Sequence, residues 1–360
     1  MLSLSVTAGD AVYDIHISPG VWEASAEALA RWRGRRAAVV ADSNTAPLFR
    51  PRMAAALTAS GITPTLLTVP AGEASKCHAQ LLSLYTGFLD MALTRADLVV
   101  ALGGGVVGDL AGYAAATYLR GVPLLQAPTT LLAQVDSSVG GKVAVNLPQG
   151  KNLVGAFCQP ALVLIDPDTL RTLDARQLGA GLGEVIKYGC IADAALFAQL
   201  EAAGSRAALA SMLPDIVCRC CRIKAGYVAR DPLDFGPRME LNFGHTLGHA
   251  LENALGYGAL LHGEAVCLGM LAAARWGEAA GVTPPGTSAR IRALLTALGL
   301  PTDAPPVPPE ALARAAKLDK KAAGDTVQLV LLSGIGRAVL RPTSRAQLAA
   351  WLREEARACG

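Results

Sequence analysis

Three of the chain's five histidines, His245, His249 and His262, lie within 18 residues of one another. Imidazole is the commonest protein ligand of transition metals, and it is the side chain that titrates nearest pH 7. His245 and His249 are four residues apart, so in a helix they share one face. Thr246 stands where the metallopeptidase motif H-E-x-x-H has its general base, which argues against a peptidase. A helical histidine pair alone is more often structural, but the third histidine favours a metal site.

The segment between His245 and His262 decides whether one ion can bind both. In an unbroken helix they would lie roughly 25 Å apart, at about 1.5 Å per residue. Gly256 and Gly258 lie between them and are predicted to end the helix and turn the chain. A helix, a glycine break and a second helix would allow both imidazoles to reach one metal.

A glycine-rich loop, Gly103–Asp109, follows an apolar run at 97–102 and begins a helical pattern. Positions 103, 105 and 108 satisfy G-x-G-x-x-G, in which glycines allow the backbone to approach a pyrophosphate at a helix N-terminus. The acidic residue expected about 20 positions later is missing, because residue 128 is Pro. The loop alone is compatible with a nucleotide site or with a tight structural turn.

Polar residues also follow the other predicted strands. In an open parallel sheet, ligands bind outside the carboxyl ends of the strands, so these residues favour a dinucleotide site. They are Asp42 with Asn44, Gly72 and Glu73 with Lys76, and Thr129 with Thr130.

Basic and amide side chains recur beside glycines, as in Arg120-Gly121, Gly141-Lys142 and Gly150-Lys151-Asn152. Such segments bring cations and backbone N–H groups to an anion, although an exposed loop is the alternative interpretation. Glu184 and Lys187 share a helix face at i, i+3. Their neighbours are apolar, so the pair is predicted to line a cleft rather than to form a surface ion pair.

The composition limits the class of protein. The chain has 360 residues, is 52% hydrophobic and 17% charged, and carries a net charge of +3, which excludes the disordered class and gives no basis for nucleic-acid binding. No charge-free apolar stretch reaches the ~18 residues of a membrane span. The N-terminus does not resemble a signal peptide, and Cys218, Cys220 and Cys221 are expected to be reduced helix residues rather than a thiolate metal site. These features predict a soluble, cytoplasmic protein with no nucleic-acid or membrane partner.

Five short apolar runs, at 37–41, 66–69, 97–102, 124–127 and 162–166, are predicted to be strands of a mostly parallel sheet, with a helix over 75–91. Residues 176–300 show helical spacing without a strand. Residues 327–332 fit either a strand or a buried helix turn, and 344–358 fit an amphipathic helix. The predicted fold is an α/β, Rossmann-like dinucleotide-binding domain over 1–167 and a mostly α-helical metal- and substrate-binding domain over 168–360.

Nearly the whole chain resembles the 3-dehydroquinate synthase family of the sugar-phosphate cyclase superfamily. The motifs that carry the resemblance are Pro70–Lys76, Gly103–Asp109, Pro128–Lys142, Lys151–Phe157, Gly183–Lys187, Asn242–His249 and His262–Glu264.

The resemblance implies a carbon–oxygen lyase of the shikimate pathway, which supplies aromatic amino acid biosynthesis. Its substrate would be the phosphorylated seven-carbon keto-acid sugar 3-deoxy-arabino-heptulosonate 7-phosphate, and its products 3-dehydroquinate and phosphate. The implied steps are transient oxidation by NAD, β-elimination of phosphate, re-reduction, ring opening and aldol closure. The implied cofactors are NAD in the α/β domain and Zn²⁺ or Co²⁺ in the helical domain. The substrate would lie between the domains of a homodimer.

The resemblance also implies roles for individual residues. The metal ligands would be Glu184, His245 and His262. The substrate phosphate would be bound by Lys142, Asn242, His249, Lys320 and Arg120, with Arg120 reaching in from the partner subunit and Lys321 as the alternative to Lys320. Lys224 and Arg238 would hold the substrate carboxylate, and Asp136, Asn152 and Lys187 would bond hydroxyls and oxygens near the metal. The NAD contacts would be Asp42, Asn44, Gly72, Glu73, Lys76, Gly104, Gly105, Val106, Val107, Gly108, Asp109, Thr129, Thr130, Lys142, Lys151, Thr169, Leu170, Arg171 and Thr172.

Three other functions compete with this one. A polyol dehydrogenase of the glycerol dehydrogenase type would keep the glycine loop and the metal histidines but would not need the set Lys142, Lys224, Arg238, Asn242 and His249. A cyclase making 2-deoxy-scyllo-inosose or a valiolone is expected to depart in the anion-binding motifs, and Arg238 with Asn242 argues for dehydroquinate. A degenerate regulator would lack at least one catalytic group, and none is missing from the sequence.

Overall fold

Short apolar segments of the N-terminal half form a mostly parallel sheet. The structure of the protein is a computed structural model, and it describes residues 1–256, 258–315 and 325–358. The strands are β1 (Leu2–Ala8), β2 (Ala11–Ile17), β3 (Arg36–Asp42), β4 (Thr63–Val69), β5 (Leu98–Gly103), β6 (Leu124–Pro128), β7 (Lys142–Leu147), β8 (Gly150–Phe157), β9 (Leu162–Ile165), β10 (Thr326–Gly334) and β11 (Arg337–Ser344).

The α-helices alternate with the strands at first and then dominate. They are α1 (Val21–Ala24), α2 (Ala26–Leu29), α3 (Thr45–Ala59), α4 (His78–Asp90), α5 (Gly105–Thr117), α6 (Ala175–Ala192), α7 (Ala194–Ala203), α8 (Arg206–Leu209), α9 (Leu213–Arg230), α10 (His245–Leu255), α11 (His262–Ala279), α12 (Thr287–Ala297), α13 (Pro309–Ala315) and α14 (Arg345–Ala358).

Within the described residues, one sheet has the strand order β1-β2-β9-β6-β5-β3-β4. The β1–β2 pair is antiparallel, and the pairs from β2 to β4 are parallel. Ala41 pairs with Leu102, and Gly103 pairs with Pro128, so β3, β5 and β6 end side by side. The polar residues that follow these strands therefore share one edge of the sheet.

Buried side chains cover both faces of this sheet. Trp22, Phe49 and Met53 belong to the cluster on one face, and Phe88 and Leu110 belong to the cluster on the other. Because both faces are covered, the central strands are apolar throughout rather than alternating. This explains why they could be recognised from the sequence.

The chain divides into two compact units. The first comprises residues 1–173 and 217–233, and the second comprises residues 174–216 and 234–360. In the second unit, α11 packs against α6, α10 and α12, and the antiparallel hairpin β10–β11 packs against α6. The α/β region followed by a helical region confirms the predicted fold class.

The structure also tests several predictions about individual segments. The five apolar runs are strands, and 327–332 lies in a strand. Strands β1, β2, β7, β8 and β11 were not predicted. None of the described cysteines forms a disulfide bond, and Cys218, Cys220 and Cys221 lie on α9. No described helix is long and apolar enough to cross a membrane.

Candidate functional site

Glycines bring three helices of the second unit into backbone contact. A Cβ atom on Gly263 would lie 1.8 Å from the carbonyl oxygen of Ala180, so α11 touches α6 directly at this point. A Cβ on Gly183 would lie 2.6 Å from the carbonyl oxygen of Gly263, and one on Gly269 would lie 1.7 Å from that of Gly244. No larger residue fits at these positions without moving backbone.

Each predicted metal ligand is the sequence neighbour of one of these glycines. Glu184 follows Gly183 on α6, His245 follows Gly244 at the start of α10, and His262 precedes Gly263 at the start of α11. Helix α10 ends at Leu255 and α11 begins at His262. The predicted break between the two histidine helices is therefore confirmed.

The two imidazoles converge on one carboxylate oxygen of Glu184. His245 Nε2 lies 3.6 Å and His262 Nε2 lies 3.4 Å from Oε1 of Glu184. The other oxygen of Glu184 accepts an ion pair from Lys187 Nζ at 2.5 Å, and both of these side chains are 1% exposed. The two oxygens of this buried carboxylate thus face different partners, with two imidazole nitrogens near Oε1 and an ammonium at Oε2.

The contacts of Nδ1, the ring nitrogen that does not face Glu184, fix the orientation of each imidazole. His245 Nδ1 lies 3.1 Å from the carbonyl oxygen of Phe243, which can only accept, so this nitrogen carries the proton. In neutral His245, Nε2 is then an acceptor that faces a carboxylate oxygen, itself an acceptor. Two acceptors that face each other favour a cation between them. The donor set of one carboxylate and two imidazoles therefore fits a divalent transition metal.

The pKa values of the two imidazoles move in opposite directions. Burial, together with Lys187 and the neighbouring histidines, lowers the pKa of His245 well below its usual value despite the attraction of Glu184. Burial acts in the same direction on His262, but hydrogen bonds to Glu184 and Glu252 raise its pKa to about 10. Without a metal, His262 is thus the imidazole whose charged form is favoured, because it lies between two carboxylates.

His249 also lies at this cluster. Ligand nitrogens of His245, His249 and His262 lie within 4.8 Å of one another, and the three could hold a metal ion. The ring centroid of His249 is 5.3 Å from that of His245 and 5.7 Å from that of His262. His249 is exposed, whereas Glu184 is buried. Its position is compatible both with a fourth donor and with the predicted phosphate contact.

The remaining predicted residues of the second unit differ in exposure. Arg238 is buried, at 1% exposed, on a 3₁₀ segment over Pro237–Asn242. Asn242 ends that segment, and its amide nitrogen donates to the carbonyl oxygen of Met239 at 2.8 Å. The predicted phosphate contacts Lys320 and Lys321 lie outside the described residues.

In the first unit, the glycine loop connects β5 to α5 as predicted. A Cβ on Gly104 would lie 3.0 Å from Thr130 Cγ2, and one on Gly105 would lie 3.2 Å from Ser137 Oγ. The loop is therefore closely packed at the strand ends. Thr129 is 3% exposed, and its hydroxyl has no hydrogen-bond partner within the described residues. An unsatisfied buried hydroxyl beside a glycine loop fits a cofactor that bonds to it.

A polar cluster beside the loop is organised by Lys76, which is 5% exposed. Its ammonium donates to Asp109 and, at 2.5 Å, to the amide oxygen of Asn152. Burial raises the pKa of Asp109, and Lys76 opposes that shift. Asn146 donates to Glu73 at 2.8 Å and accepts from the backbone of Asn152 at 2.9 Å. The structure thus brings together predicted NAD and substrate residues.

A second ion pair of the first unit joins two predicted substrate residues. Lys224 Nζ lies 2.9 Å from Asp136 Oδ1 and 2.7 Å from the Asp136 carbonyl oxygen. The amide of Gln134 donates to Thr169 Oγ1 at 3.0 Å and to the Asp166 carbonyl oxygen at 3.1 Å. Gln134 thereby fixes the 3₁₀ segment Pro167–Thr172, which contains the predicted NAD contacts Thr169, Leu170, Arg171 and Thr172.

Other predicted residues of the first unit lie at the surface or in turns. Asp42 accepts from the backbone of Asn44 and Thr45, at 2.9 and 2.8 Å, so its carboxylate orders the turn into α3. Lys142 is exposed at the start of β7. Arg120 is exposed and has a φ of 66°, in the left-handed region.

The sequence also matches known proteins. Residues 66–180 match the family model described as 3-dehydroquinate synthase N-terminal, and residues 181–322 match the one described as 3-dehydroquinate synthase C-terminal. A 3-dehydroquinate synthase of Xanthomonas oryzae pv. oryzae is 49% identical over 344 residues, which cover 92% of each chain. The chain belongs to the 3-dehydroquinate synthase family. The resemblance carried by the motifs is thereby confirmed.

Two solved structures of related cyclases share this fold. A 2-deoxy-scyllo-inosose synthase complexed with carbaglucose-6-phosphate, NAD⁺ and Co²⁺ has a TM-score of 0.88 at 26% identity, and the match covers 98% of this chain and 100% of that one. A 2-epi-5-epi-valiolone synthase from Streptomyces hygroscopicus subsp. jinggangensis 5008, with NAD⁺ and Zn²⁺ bound, has a TM-score of 0.87 at 29% identity, with coverage of 98% and 99%. The sequence identity of both to this chain is lower than the 49% of the Xanthomonas 3-dehydroquinate synthase.

Two residues, one in each unit, hold predicted site residues in place but were not themselves predicted. Glu252 contacts His262, and Gln134 holds the Thr169 segment. A sequence signal existed for Glu252, because it lies three residues after His249 on the same helix face. Gln134 lies within the motif Pro128–Lys142. Its partners follow 32 and 35 residues later, and local sequence spacing does not predict such distant contacts.

Proposed function

We propose that this chain is a 3-dehydroquinate synthase that converts 3-deoxy-arabino-heptulosonate 7-phosphate to 3-dehydroquinate and phosphate. Membership of the family supports this proposal, and the observation that carries it is the convergence of His245 and His262 on the buried Glu184. A carboxylate with two imidazoles leaves coordination positions for substrate oxygens, as a catalytic metal requires.

The proposed cofactors are NAD and either Zn²⁺ or Co²⁺, in support of which the two related cyclases carry NAD⁺ with Co²⁺ or Zn²⁺. Glu184, His245 and His262 would hold the metal in a helical domain over 168–360. The predicted NAD contacts would hold the nucleotide in a domain over 1–167, with Thr129 supplying its buried hydroxyl. When bound, the metal would acidify a substrate hydroxyl, and NAD would accept and return a hydride.

The chain's own residues would bind an anionic substrate. Lys187 forms an ion pair with Glu184 and so offsets the negative charge of this buried carboxylate. Lys224 is held by Asp136, so its ammonium has a fixed position from which to bind a carboxylate. Lys142 is exposed and adds a cation for the phosphate. These cations, with Arg238, Asn242 and His249, suit a substrate that carries both a phosphate and a carboxylate.

The assembly and location follow the family proposal. We infer a homodimer, in which the exposed Arg120 reaches the phosphate of the partner subunit's substrate, and a cytoplasmic location. Arg120 is exposed and stands in a left-handed turn that follows α5, which supports its availability to a partner subunit.

One assay tests the proposed function. Purified protein is mixed with catalytic NAD⁺, Zn²⁺ and heptulosonate phosphate, and both phosphate and NADH are measured. Phosphate release stoichiometric with substrate, without net NADH, is the expected result. Steady NADH accumulation without phosphate would instead support a polyol dehydrogenase. Activity that survives exhaustive chelation would contradict the metal proposal.

A further inference from the structure

A second buried carboxylate lies on the outer side of the histidine cluster. Glu252 is 5% exposed and belongs to α10, three residues after His249. Its Oε2 lies 3.3 Å from Nδ1 of His262 on α11, on the opposite side of the imidazole from Glu184. His262 is therefore placed between two carboxylates, with Nε2 towards Glu184 and Nδ1 towards Glu252.

The two imidazoles of the site are oriented by different acceptors. The Nδ1 of His245 faces a backbone carbonyl, which is held by the chain itself, whereas the Nδ1 of His262 faces a side chain. A carboxylate is the stronger acceptor, and it makes the opposite nitrogen of the ring a better electron donor. His262 is also more exposed than His245, at 32% against 13%, so packing restrains its ring less.

We propose that Glu252 is a positioning residue for the metal. It holds Nδ1–H of His262, so that Nε2 points towards Glu184 as a ligand, and it adds a negative charge beside the cation without contacting it. The proposal rests on the proposed function, which supplies the metal. If the protein binds no metal, the Glu252–His262 pair serves only to hold α10 against α11.

The experiment measures metal affinity and stability separately. The wild type, Glu252→Ala and Glu252→Gln are freed of metal, and the dissociation constant for Co²⁺ is measured by titration with a competing chelator. The visible absorption of bound Co²⁺ reports the coordination, and thermal unfolding of the metal-free protein reports stability. Removal of such an outer partner typically weakens metal binding about 10–100-fold, and we expect that range for Glu252→Ala.

Glu252→Gln keeps an oxygen acceptor but loses the charge, so its dissociation constant is expected to lie between those of the wild type and Glu252→Ala. Glu278→Gln is the matched control. This glutamate on α11 accepts from the backbone and hydroxyl of Ser288, at 2.8 Å each, and its loss should leave the Co²⁺ affinity unchanged.

A Glu252→Ala protein that is folded and binds Co²⁺ as tightly as the wild type, with the same absorption, would overturn the proposal. If Glu252→Ala does not fold, Glu252→Gln decides the question by the same criterion. A wild type that binds no metal would contradict the proposed function instead. The two failures are therefore distinguishable.

Discussion

At the scale of single residues, a substitution of Thr129 should have opposite effects on the stability of the protein and on its affinity for NAD⁺. Its buried hydroxyl has no partner within the described part of the chain, and such a group costs about 1–3 kcal/mol of folding free energy. Thr129→Val has nearly the same shape, so we expect the free energy of unfolding of the cofactor-free protein to rise by about 1 kcal/mol. The dissociation constant for NAD⁺ should rise about threefold to tenfold, because one hydrogen bond is lost.

Thr169→Val is the matched control for stability. This equally buried hydroxyl donates to the Asp166 carbonyl oxygen at 2.8 Å and accepts from Gln134 at 3.0 Å. Its removal should lower the free energy of unfolding by about 1 kcal/mol, as measured by denaturant titration. A destabilised Thr129→Val protein would mean that the Thr129 hydroxyl has a partner in the folded protein.

The residues of the proposed metal site were partly predictable. His245 and His262 stand out because histidine is rare in this chain and their linker contains glycines. Glu184 and Lys187 were visible as a charged pair in an apolar helix. The proposed role of Glu184 as a metal ligand came only from the family resemblance, because Glu184 and the histidines are far apart in sequence. The partner of Glu252 is likewise on another helix, and local spacing cannot indicate it.

At the scale of elements, the contact between α6 and α11 depends on Gly263. A Cβ there would lie 1.8 Å from backbone, so Gly263→Ala must separate the two helices. Overpacking typically costs about 1–3 kcal/mol and occasionally more, and we expect at least the upper value here. Thermal unfolding measures the loss, and Co²⁺ titration should show weakened binding.

Gly226→Ala provides the control. Gly226 lies within α9, and a Cβ there would meet nothing within 4 Å. Alanine is the better helix former by about 1 kcal/mol, so this variant should be as stable as the wild type or more stable. Equal stability of the Gly263→Ala and Gly226→Ala proteins would contradict the close helix contact.

The elements that could be predicted were those with a single strong pattern. Strands β3 and β5 are buried on both faces and read as continuous apolar runs. Strands β1 and β8 are largely exposed, and β7 and β8 begin with Lys142 and with Gly150-Lys151-Asn152, which were interpreted as parts of anion-binding loops. Strand β11 contains Pro342 and two arginines, which mask its pairing with β10. Such strands are stabilised by their partners more than by their own composition.

At the scale of the whole molecule, the proposed cofactors would bind to different units. The predicted NAD residues lie in the first unit, and Glu184, His245 and His262 lie in the second. His262→Ala should therefore abolish phosphate release and metal binding while the NAD⁺ dissociation constant changes by less than about threefold. Calorimetric titration with each ligand measures both. His78→Ala, at an exposed histidine of α4, should change neither.

Simultaneous loss of NAD⁺ binding and of folding in His262→Ala would make His262 a structural residue. Retained phosphate release would show that His262 is not part of the metal site.

The identity of the fold follows from long apolar segments and from motifs that span the chain. The individual contacts do not, because each depends on atoms brought together from distant positions.

The glycine contact between α6 and α11 has a thermodynamic consequence. The proposed ligands Glu184, His245 and His262 belong to three separate helices, two of which this contact joins, so an unfolded chain offers no comparable site. Any cation bound there is coupled to folding by mass action, and at 100 times its dissociation constant it adds about 2.7 kcal/mol to the stability. The melting temperature should therefore rise with the logarithm of the free Co²⁺ concentration. Gly263→Ala should shift that rise to higher Co²⁺ concentrations, because it weakens binding, although residue 263 contributes no ligand atom.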